Sequence, residues 1–287
     1  MKALRWFLIV PYLLLATAPL LWIVMTSTKQ QEDARSAQVK FIPSTRADVP
    51  QESARYAVSA SGYKKLGRVM RGKQMSFLGY LLNSVIICFC STLAAVGMGT
   101  ACAYGFSRFR IAGAADWLFF ILSTRFLPPL AVAVPVLIMF RELHLTGTHL
   151  GLIILYTAFN LSLAVWLMKG FVDDIPRAYE EAALVDGYSR LQAFVRIIVP
   201  QTATGICVTA VFCLISVWNE YGFALSLNSQ RGTTVPVYLL GMRGRTEGLP
   251  WDQIAAGSVV FVVPVVVFVV LVRRHLLRGI TFGTIKQ

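Results

Sequence analysis

Few side chains in this sequence have the types and spacing that catalysis or metal binding would need. The candidates are five cysteines and three histidines, namely Cys88, Cys90, Cys102, Cys207, Cys213, His144, His149 and His275. No cysteine stands at metal-ligand spacing from a histidine, and an odd number of cysteines argues against a disulfide framework. We interpret the cysteines as small apolar packing residues and assign the histidines no role.

A basic segment from Gly67 to Lys73 matches the first seven positions of a phosphate-binding loop. The eighth position is Gln74, which lacks the hydroxyl that would bind magnesium, and no strand pattern precedes the segment. The sequence therefore predicts no nucleotide site, no ATPase or other enzyme activity, and no cofactor in this chain.

Six polar or amphipathic residues stand within or beside long apolar stretches, and their side chains could bind a polar solute. They are Arg125, Asn160, Trp218, Asn219, Glu220 and Tyr221. Polar groups in such surroundings are costly and often functional. Tryptophan and tyrosine stack on sugar rings, whereas asparagine and glutamate bond hydroxyls. The same residues could instead cap helices or anchor a membrane interface, and both interpretations stay open.

The composition explains which elements must position these residues. Only 14% of the 287 residues are charged, against about 25% in soluble domains. Residues 6–28, 74–107, 143–168, 197–219 and 253–272 contain no Asp, Glu, Lys or Arg. Each stretch can cross a hydrocarbon core of ~30 Å, because a helix rises ~1.5 Å per residue. Soluble globular packing is excluded, and the chain is predicted to be an integral membrane protein.

We predict an all-α membrane protein with six transmembrane helices at about 6–26, 79–104, 117–140, 149–168, 202–225 and 254–272. The third span is interrupted by Arg125 and by Pro128-Pro129. The first resembles a signal peptide, but its apolar run continues to Met25, which favours a retained helix. Residues 1–28 form the first helix and residues 29–78 a loop, which the resemblance described below implies is extracytoplasmic. Within that loop, residues 63–75 are either an amphipathic surface helix or a solvated basic loop.

Small residues recur every fourth position in the second span, at Gly97, Ala101 and Gly105. This spacing lets helix backbones approach closely in lipid. The sequence does not distinguish a subunit interface from internal packing.

The segment between the fourth and fifth spans is predicted to be a helix-turn-helix. Pro176 suits a first helical turn and Gly187 a stop, while Ser189 and Gln192 have capping-box spacing. Ala178, Ala182 and Val185 line one face of the first helix, which presents small residues together with Glu180 and Glu181. Such a helix suits docking in a basic groove of a partner. A connecting hairpin without a partner is the alternative.

This segment resembles the EAA loop of ABC importer permeases. The matching residues are Glu181-Ala182-Ala183, Gly187, Ile197 and Val199-Pro200, with valine where leucine is usual. Further likeness to carbohydrate-uptake permeases of the maltose-transporter type lies in Asn83-Ser84, Phe126-Leu127-Pro128-Pro129, Trp218-Asn219-Glu220-Tyr221 and residues 278–283.

The resemblance implies a permease core at 79–287 that carries a cytosolic coupling loop at 171–200 and a tail at 273–287. Two permeases would surround a path for a sugar, oligosaccharide or polyol. Two ATPase subunits would hold ATP and magnesium, and an extracytoplasmic binding protein would deliver the substrate. Contact with the ATPases would involve Glu180, Glu181, Ala182, Ala183, Gly187, Ile197 and Pro200. No nucleic acid is implied.

The resemblance also places both termini in the cytosol of a bacterial cell, with the chain in the inner membrane. The positive-inside rule does not support this orientation, because 12 Lys and Arg residues would be inside and 14 outside. An ion-coupled secondary transporter is the alternative function. It would favour paired intramembrane carboxylates and internal repeats, whereas Glu220 is the only acid deep in a span.

Overall fold

The computed structural model describes residues 2–44, 55–69, 75–227, 233–242 and 248–282. These residues are mostly helical, apart from one short parallel pair of strands. In chain order the elements are α1 (Lys2–Ser27), α2 (Gln31–Arg35), β1 (Ile42–Ser44), β2 (Arg55–Ala57), α3 (Ser61–Leu66), α4 (Phe77–Arg108), α5 (Ala114–Ser123), a 3₁₀ turn (Thr124–Phe126), α6 (Pro129–Glu142), α7 (His149–Asp173), α8 (Arg177–Val185), α9 (Arg190–Ala193), a π turn (Phe194–Ile198), α10 (Val199–Gln201), α11 (Ala203–Trp218), α12 (Gly222–Ser226), α13 (Val235–Leu240) and α14 (Trp251–Phe282).

The chain divides into two compact units. The first unit contains Met1–Leu82 and Val235–Pro264, and the second contains Asn83–Thr234 and Val265–Gln287. The long helices α4 and α14 each begin in the first unit and end in the second.

The first unit has its own core, built around Tyr238. The ring of Tyr80 stacks on Tyr238 with centroids 4.5 Å apart, and Leu66 and Phe77 belong to the same buried cluster. Helix α3 lies against the first turn of α14, where a Cβ on Gly62 would be only 2.5 Å from the backbone oxygen of Asp252. The polar segment between the first two spans is therefore partly folded rather than an open loop.

Helix α3 corresponds to part of the predicted amphipathic helix at 63–75. It ends at Leu66, and Gly67 to Val69 are not helical. Residues 70–74 lie outside the described residues. They belong to the predicted helix at 63–75, and most of them to the basic segment that resembles a phosphate-binding loop. Gly62 and Leu66 are buried against the first unit. A location at the membrane surface stays a prediction.

Four described helical segments are long and apolar enough to cross a membrane alone, at Ile9–Ser27, Phe77–Arg108, His149–Asp173 and Trp251–Arg274. Two further pairs qualify only together. Ala114–Phe126 and Ala131–Glu142 are bent by 94°, and Arg190–Gln201 and Ala203–Trp218 by 74°. A helical membrane protein with four to six candidate spans is confirmed, whereas the count of six stays a prediction.

Helices α4, α7 and α11 of the second unit pack through small residues. Val96, Ala164 and Cys213 form a buried cluster, and a Cβ on Gly99 would lie 2.6 Å from the Cβ of Ala164. The predicted stripe at Gly97, Ala101 and Gly105 does not make this contact. Among the described residues, no atom lies within 4 Å of a Cβ built on either of its glycines.

Candidate functional site

The predicted helix-turn-helix is present between α7 and α11. Helix α8 begins directly after Pro176, and Gly187 takes a positive φ of 88° in the turn that follows. The capping box that begins α9 is also formed. The Gln192 N–H donates to Ser189 Oγ at 3.3 Å, and the Ser189 N–H donates to Gln192 Oε1 at 2.8 Å. Sequence spacing therefore predicted the start of α8, the turn at Gly187 and the capping box of α9.

The second arm of the loop is not one continuous α-helix. Helix α9 passes into a π turn that contains Ile197, and α10 contains Pro200. π turns are rare, occur mostly as single turns inside α-helices and are frequently found at functional sites. Ile198 is fully buried, Ile197 is half-buried and Pro200 is exposed. The three resemblance residues of this arm, Ile197, Val199 and Pro200, thus lie beside the fully buried Ile198 rather than at it.

Helix α8 has one exposed face made of Ala178, Glu181, Ala182 and Val185, which we call the outer face. These positions follow the i, i+3, i+4, i+7 spacing of a helix stripe. The side chain of Val185 is 88% exposed. A stripe of small residues with one carboxylate is left uncovered by the described part of the chain.

The prediction that Glu180 is presented beside Glu181 is wrong. Glu180 is only 4% exposed and, with Ala183, forms the inner face of α8. The Tyr104 hydroxyl donates to one of its carboxylate oxygens, and Arg108 Nε lies 3.0 Å from the other. At about 100° per residue, Glu180 points about 160° away from Ala178 and from Ala182, so it does not share the outer face.

Sequence reasoning missed Tyr104 and Arg108. A usable signal existed, because Arg108 is the first charge after the uncharged stretch 74–107. An arginine at the C-terminal end of a helix is well placed to bond carbonyls and carboxylates there.

Three of the six predicted solute-binding residues meet at one cavity of about 180 Å³ in the second unit. Its lining is formed by Arg125, Pro129, Tyr156, Phe159, Asn160, Ser216, Val217, Glu220 and Phe223. Trp218, Asn219 and Tyr221 do not line this cavity, and Trp218 is buried elsewhere in the unit.

Glu220 has a structural role at this cavity. Its carboxylate accepts hydrogen bonds from the Tyr156 hydroxyl at 2.5 Å and from the N–H groups of Phe223 and Ala224 at 2.8 and 3.2 Å. It therefore caps the first turn of α12, as the helix-capping interpretation requires. Asn219 Nδ2 donates to the Ile215 carbonyl at 2.9 Å, which terminates α11.

Arg125 and Asn160 retain hydrogen-bonding capacity at the cavity. Arg125 donates to the Phe159 carbonyl at 3.3 Å and to Ser216 Oγ at 3.5 Å. No carboxylate of the described residues forms an ion pair with Arg125 within 4.0 Å. Asn160 Oδ1 is buried without a hydrogen-bond partner in that part of the chain. A neutral, hydroxyl-rich solute or water could use both groups.

Comparison with known proteins identifies the class. Residues 95–281 match the family described as "Binding-protein-dependent transport system inner membrane component", so the chain belongs to that family. It is a multi-pass inner-membrane component of ABC importers and not an enzyme, because ATP hydrolysis lies on separate subunits.

Two relatives and one solved structure show the extent of the similarity. The chain is 32% identical to the trehalose transport system permease protein SugB of Mycobacterium tuberculosis, over 97% of this chain and 94% of that protein. It is 30% identical to the trehalose/maltose transport system permease protein MalG of Thermococcus litoralis, over 76% and 79%. Its fold matches a bacterial ABC transporter involved in alginate import, with a TM-score of 0.76, 20% identity and 96% coverage of each chain.

Proposed function

We propose that this chain is a permease subunit of an ATP-driven importer for a sugar, oligosaccharide or polyol. With a second permease it forms the translocation path, and its loop at 171–200 couples that path to cytosolic ATPase subunits. The observation that carries the proposal is the outer face of α8, which the described residues leave uncovered although it is built of small residues around Glu181.

The chemistry of the outer face suits a groove with a basic residue. Small side chains at Ala178 and Ala182 allow the helix backbone to approach a partner closely, and the exposed Glu181 carboxylate can accept hydrogen bonds from a lysine or arginine. Gly187, Ile197 and Pro200 hold the two arms of the loop in this arrangement. The C-terminal tail contacts the same ATPases.

The proposed topology takes the pair Ala114–Phe126 and Ala131–Glu142 as the third span, and Ala203–Trp218 without the loop arm Arg190–Gln201 as part of the fifth. Six crossings place both termini on the same side, and the loop after the fourth crossing lies on that side too. Because the ATPases are cytosolic, both termini are cytosolic. An extracytoplasmic binding protein then reaches residues 29–78, in keeping with the binding-protein dependence named for the family.

The substrate class is supported by the relatives and by the cavity. Both curated relatives are named for trehalose or for trehalose and maltose. The cavity at Arg125 offers guanidinium N–H groups and the faces of Phe159 and Phe223, a combination that recognises hydroxyls and sugar rings. Its 180 Å³ is below the ~300 Å³ of ordinary ligand pockets, so it is a subsite of a path completed by the partner permease.

Two substitutions in the loop test the proposal by uptake of labelled trehalose and maltose in cells. Glu181→Lys reverses the charge that faces the ATPase. Gly187→Pro cannot adopt a φ of 88° and removes the N–H that donates to the Leu184 carbonyl at 3.1 Å. We expect uptake to be lost while the chain remains in the membrane, and Glu181→Lys to reduce the ATPase that co-isolates with a tagged chain.

Glu142→Lys is the matched control, since it reverses an exposed acid outside the loop and should leave co-isolation unchanged. Normal uptake and normal ATPase recovery in both loop variants would refute the coupling role. The ion-coupled alternative is not favoured, because the Glu220 carboxylate is already used in capping α12.

A further inference from the structure

The buried ion pair between Glu180 and Arg108 is not part of the surface that meets an ATPase. Arg108 Nε lies 3.0 Å from Glu180 Oε2, and both side chains are nearly inaccessible, at 5% and 6% exposure. The Tyr104 hydroxyl donates to the second carboxylate oxygen. One oxygen of Glu180 is therefore hydrogen-bonded to Tyr104 and the other is ion-paired with Arg108, whose Nε–H makes no hydrogen bond among the described residues.

Arg108 also binds the end of α7. Its Nη2 donates to the Ile175 carbonyl at 2.9 Å and to the Val172 carbonyl at 3.3 Å. Val172 lies in the last turn of α7 and its carbonyl also accepts from the Ile175 N–H at 3.2 Å, whereas Ile175 lies two residues beyond the helix. One guanidinium thus joins the ends of α4 and α7 to α8.

A second arginine bonds in the opposite direction. Arg177, at the start of α8, donates through Nη2 to the Ser107 carbonyl of α4 at 3.0 Å. Each helix therefore sends an arginine to the other. Helix α8 lies beside α9 and the π turn. Its polar contacts with α4 are made by the side chains of Tyr104, Arg108, Arg177 and Glu180.

An apolar cluster surrounds the pair. Tyr104, Val172, Ile175 and Ile198 are buried together, and the ring of Phe194 lies 4.7 Å from that of Tyr104. The second arm of the loop, which contains Phe194 and Ile198, therefore packs in the same cluster. Such surroundings lower the local dielectric, which strengthens a well-oriented pair and penalises an unpaired charge.

We propose that Glu180 and Arg108 form the joint that transmits displacement of α8 to α4 and α7. This inference rests on the proposed function, because the displacement is the one that the ATPases impose on the outer face. Glu181, on the outer face, makes the contact with the ATPase. Glu180, the residue before it, lies on the inner face and transmits the displacement to α4. A buried ion pair is a weak stabiliser compared with apolar packing, but it fixes one geometry. Both are positioning residues.

The test uses the importer purified through a tag on this chain, with its co-isolated ATPase, in lipid nanodiscs. Hydrogen exchange is followed in peptides from α8 and from the last turns of α4, with and without ATP plus vanadate. In the wild type we expect both segments to change. In Glu180→Gln we expect the change in α8 to persist and the change in α4 to fall by roughly 2- to 30-fold.

A second variant separates transmission from folding. Glu180→Gln alone leaves the buried Arg108 charge unpaired, which can destabilise the loop. The double variant Arg108→Gln/Glu180→Gln carries no buried charge, and we expect normal ATPase recovery with the α4 response still lost. Glu142→Gln is the control, because it makes the same change of residue type at an exposed position at the end of α6 and should respond as the wild type.

A wild-type α4 response in the folded double variant would overturn the joint and leave the proposed function intact. If no ATPase co-isolates with the wild-type chain, or if ATP changes neither segment, the proposed function and the joint fail together. A merely structural role predicts lower stability or recovery in the variants and no selective loss of the α4 response.

Discussion

Gly187 lies in the turn between α8 and α9, the two arms of the loop at 171–200. Its φ of 88° lies in the left-handed region, which a side chain with a Cβ adopts at a cost of about 1–2 kcal/mol. No atom lies within 4 Å of a Cβ built at this position among the described residues. The backbone conformation, and not crowding, is therefore what requires glycine.

Gly187→Ala should lower the free energy of local opening of the loop by about 1–2 kcal/mol, because alanine must adopt the left-handed conformation. Hydrogen exchange of the α8 and α9 peptides measures the opening. Gly170→Ala is the matched control. It also has open space around its Cβ, but it lies in the interior of α7 without a positive φ, so the helix should gain up to about 1 kcal/mol. Equal effects of the two substitutions would contradict the conformational explanation.

Glu180 and Glu181 show what residue types alone cannot predict. Both are acids in a helix, yet one is buried by Tyr104 and Arg108 and the other is exposed. Helical periodicity already separates their directions. Which of the two side chains is buried depends on where α4 packs, and the sequence of the loop does not determine that position.

Gly99 controls the approach of α4 to α7 at the level of the elements. A Cβ there would lie 2.6 Å from the Ala164 Cβ and 3.0 Å from its backbone carbon. The nearest atoms cannot rotate away, because one belongs to the main chain and the other is attached to it. The two helices must separate if this glycine is replaced.

Gly99→Ala should therefore destabilise the second unit by about 1–3 kcal/mol, the usual cost of overpacking a tight core. Thermal unfolding of the purified chain in detergent measures the loss. Gly97→Ala serves as control, since it makes the same substitution on α4 where a Cβ meets nothing within 4 Å. If both variants unfold at the same temperature, the packing argument is wrong.

The break in the first bent pair and the early end of α11 were predictable to different degrees. Pro128-Pro129 predicts the break in the third span, because proline removes backbone hydrogen-bond donors and restricts the conformation of the residue before it. The predicted span 202–225 instead ends at Trp218, and α12 starts at Gly222. Glu220 caps α12 and accepts a bond from Tyr156 of α7. That contact joins residues 64 positions apart and leaves no local signal.

For the whole molecule, hydropathy predicted a helical membrane chain but not the folding of the first unit. Residues 29–78 read as a polar loop, whereas Leu66 and Phe77 join a core completed by residues after 234. Asp252 is fully buried, with Lys65 Nζ 3.0 Å away. These contacts join segments that are far apart in the sequence, and hydrophobic periodicity does not indicate which distant segments meet.

Labelling from the two sides of the membrane tests the proposed topology. Val185 of α8 and Val39, between α2 and β1, are both exposed, at 88% and 54%. Each is replaced by cysteine in a chain whose own five cysteines are changed to serine or alanine. Because six crossings place α8 in the cytosol and residues 29–78 outside, an impermeant maleimide should modify Val39→Cys in intact spheroplasts. In cells that do not express the ATPase, which would cover this face, Val185→Cys should react only after lysis.

The two positions control for each other, since both begin as exposed valines in a cysteine-free background. Lysis should leave labelling of Val39→Cys unchanged and should be needed for Val185→Cys. Modification of Val185→Cys in intact spheroplasts would place the outer face of α8 outside the cell, where no ATPase can reach it. That outcome would contradict the coupling role directly, whatever the number of spans, because a contact with a cytosolic motor needs its surface in the cytosol.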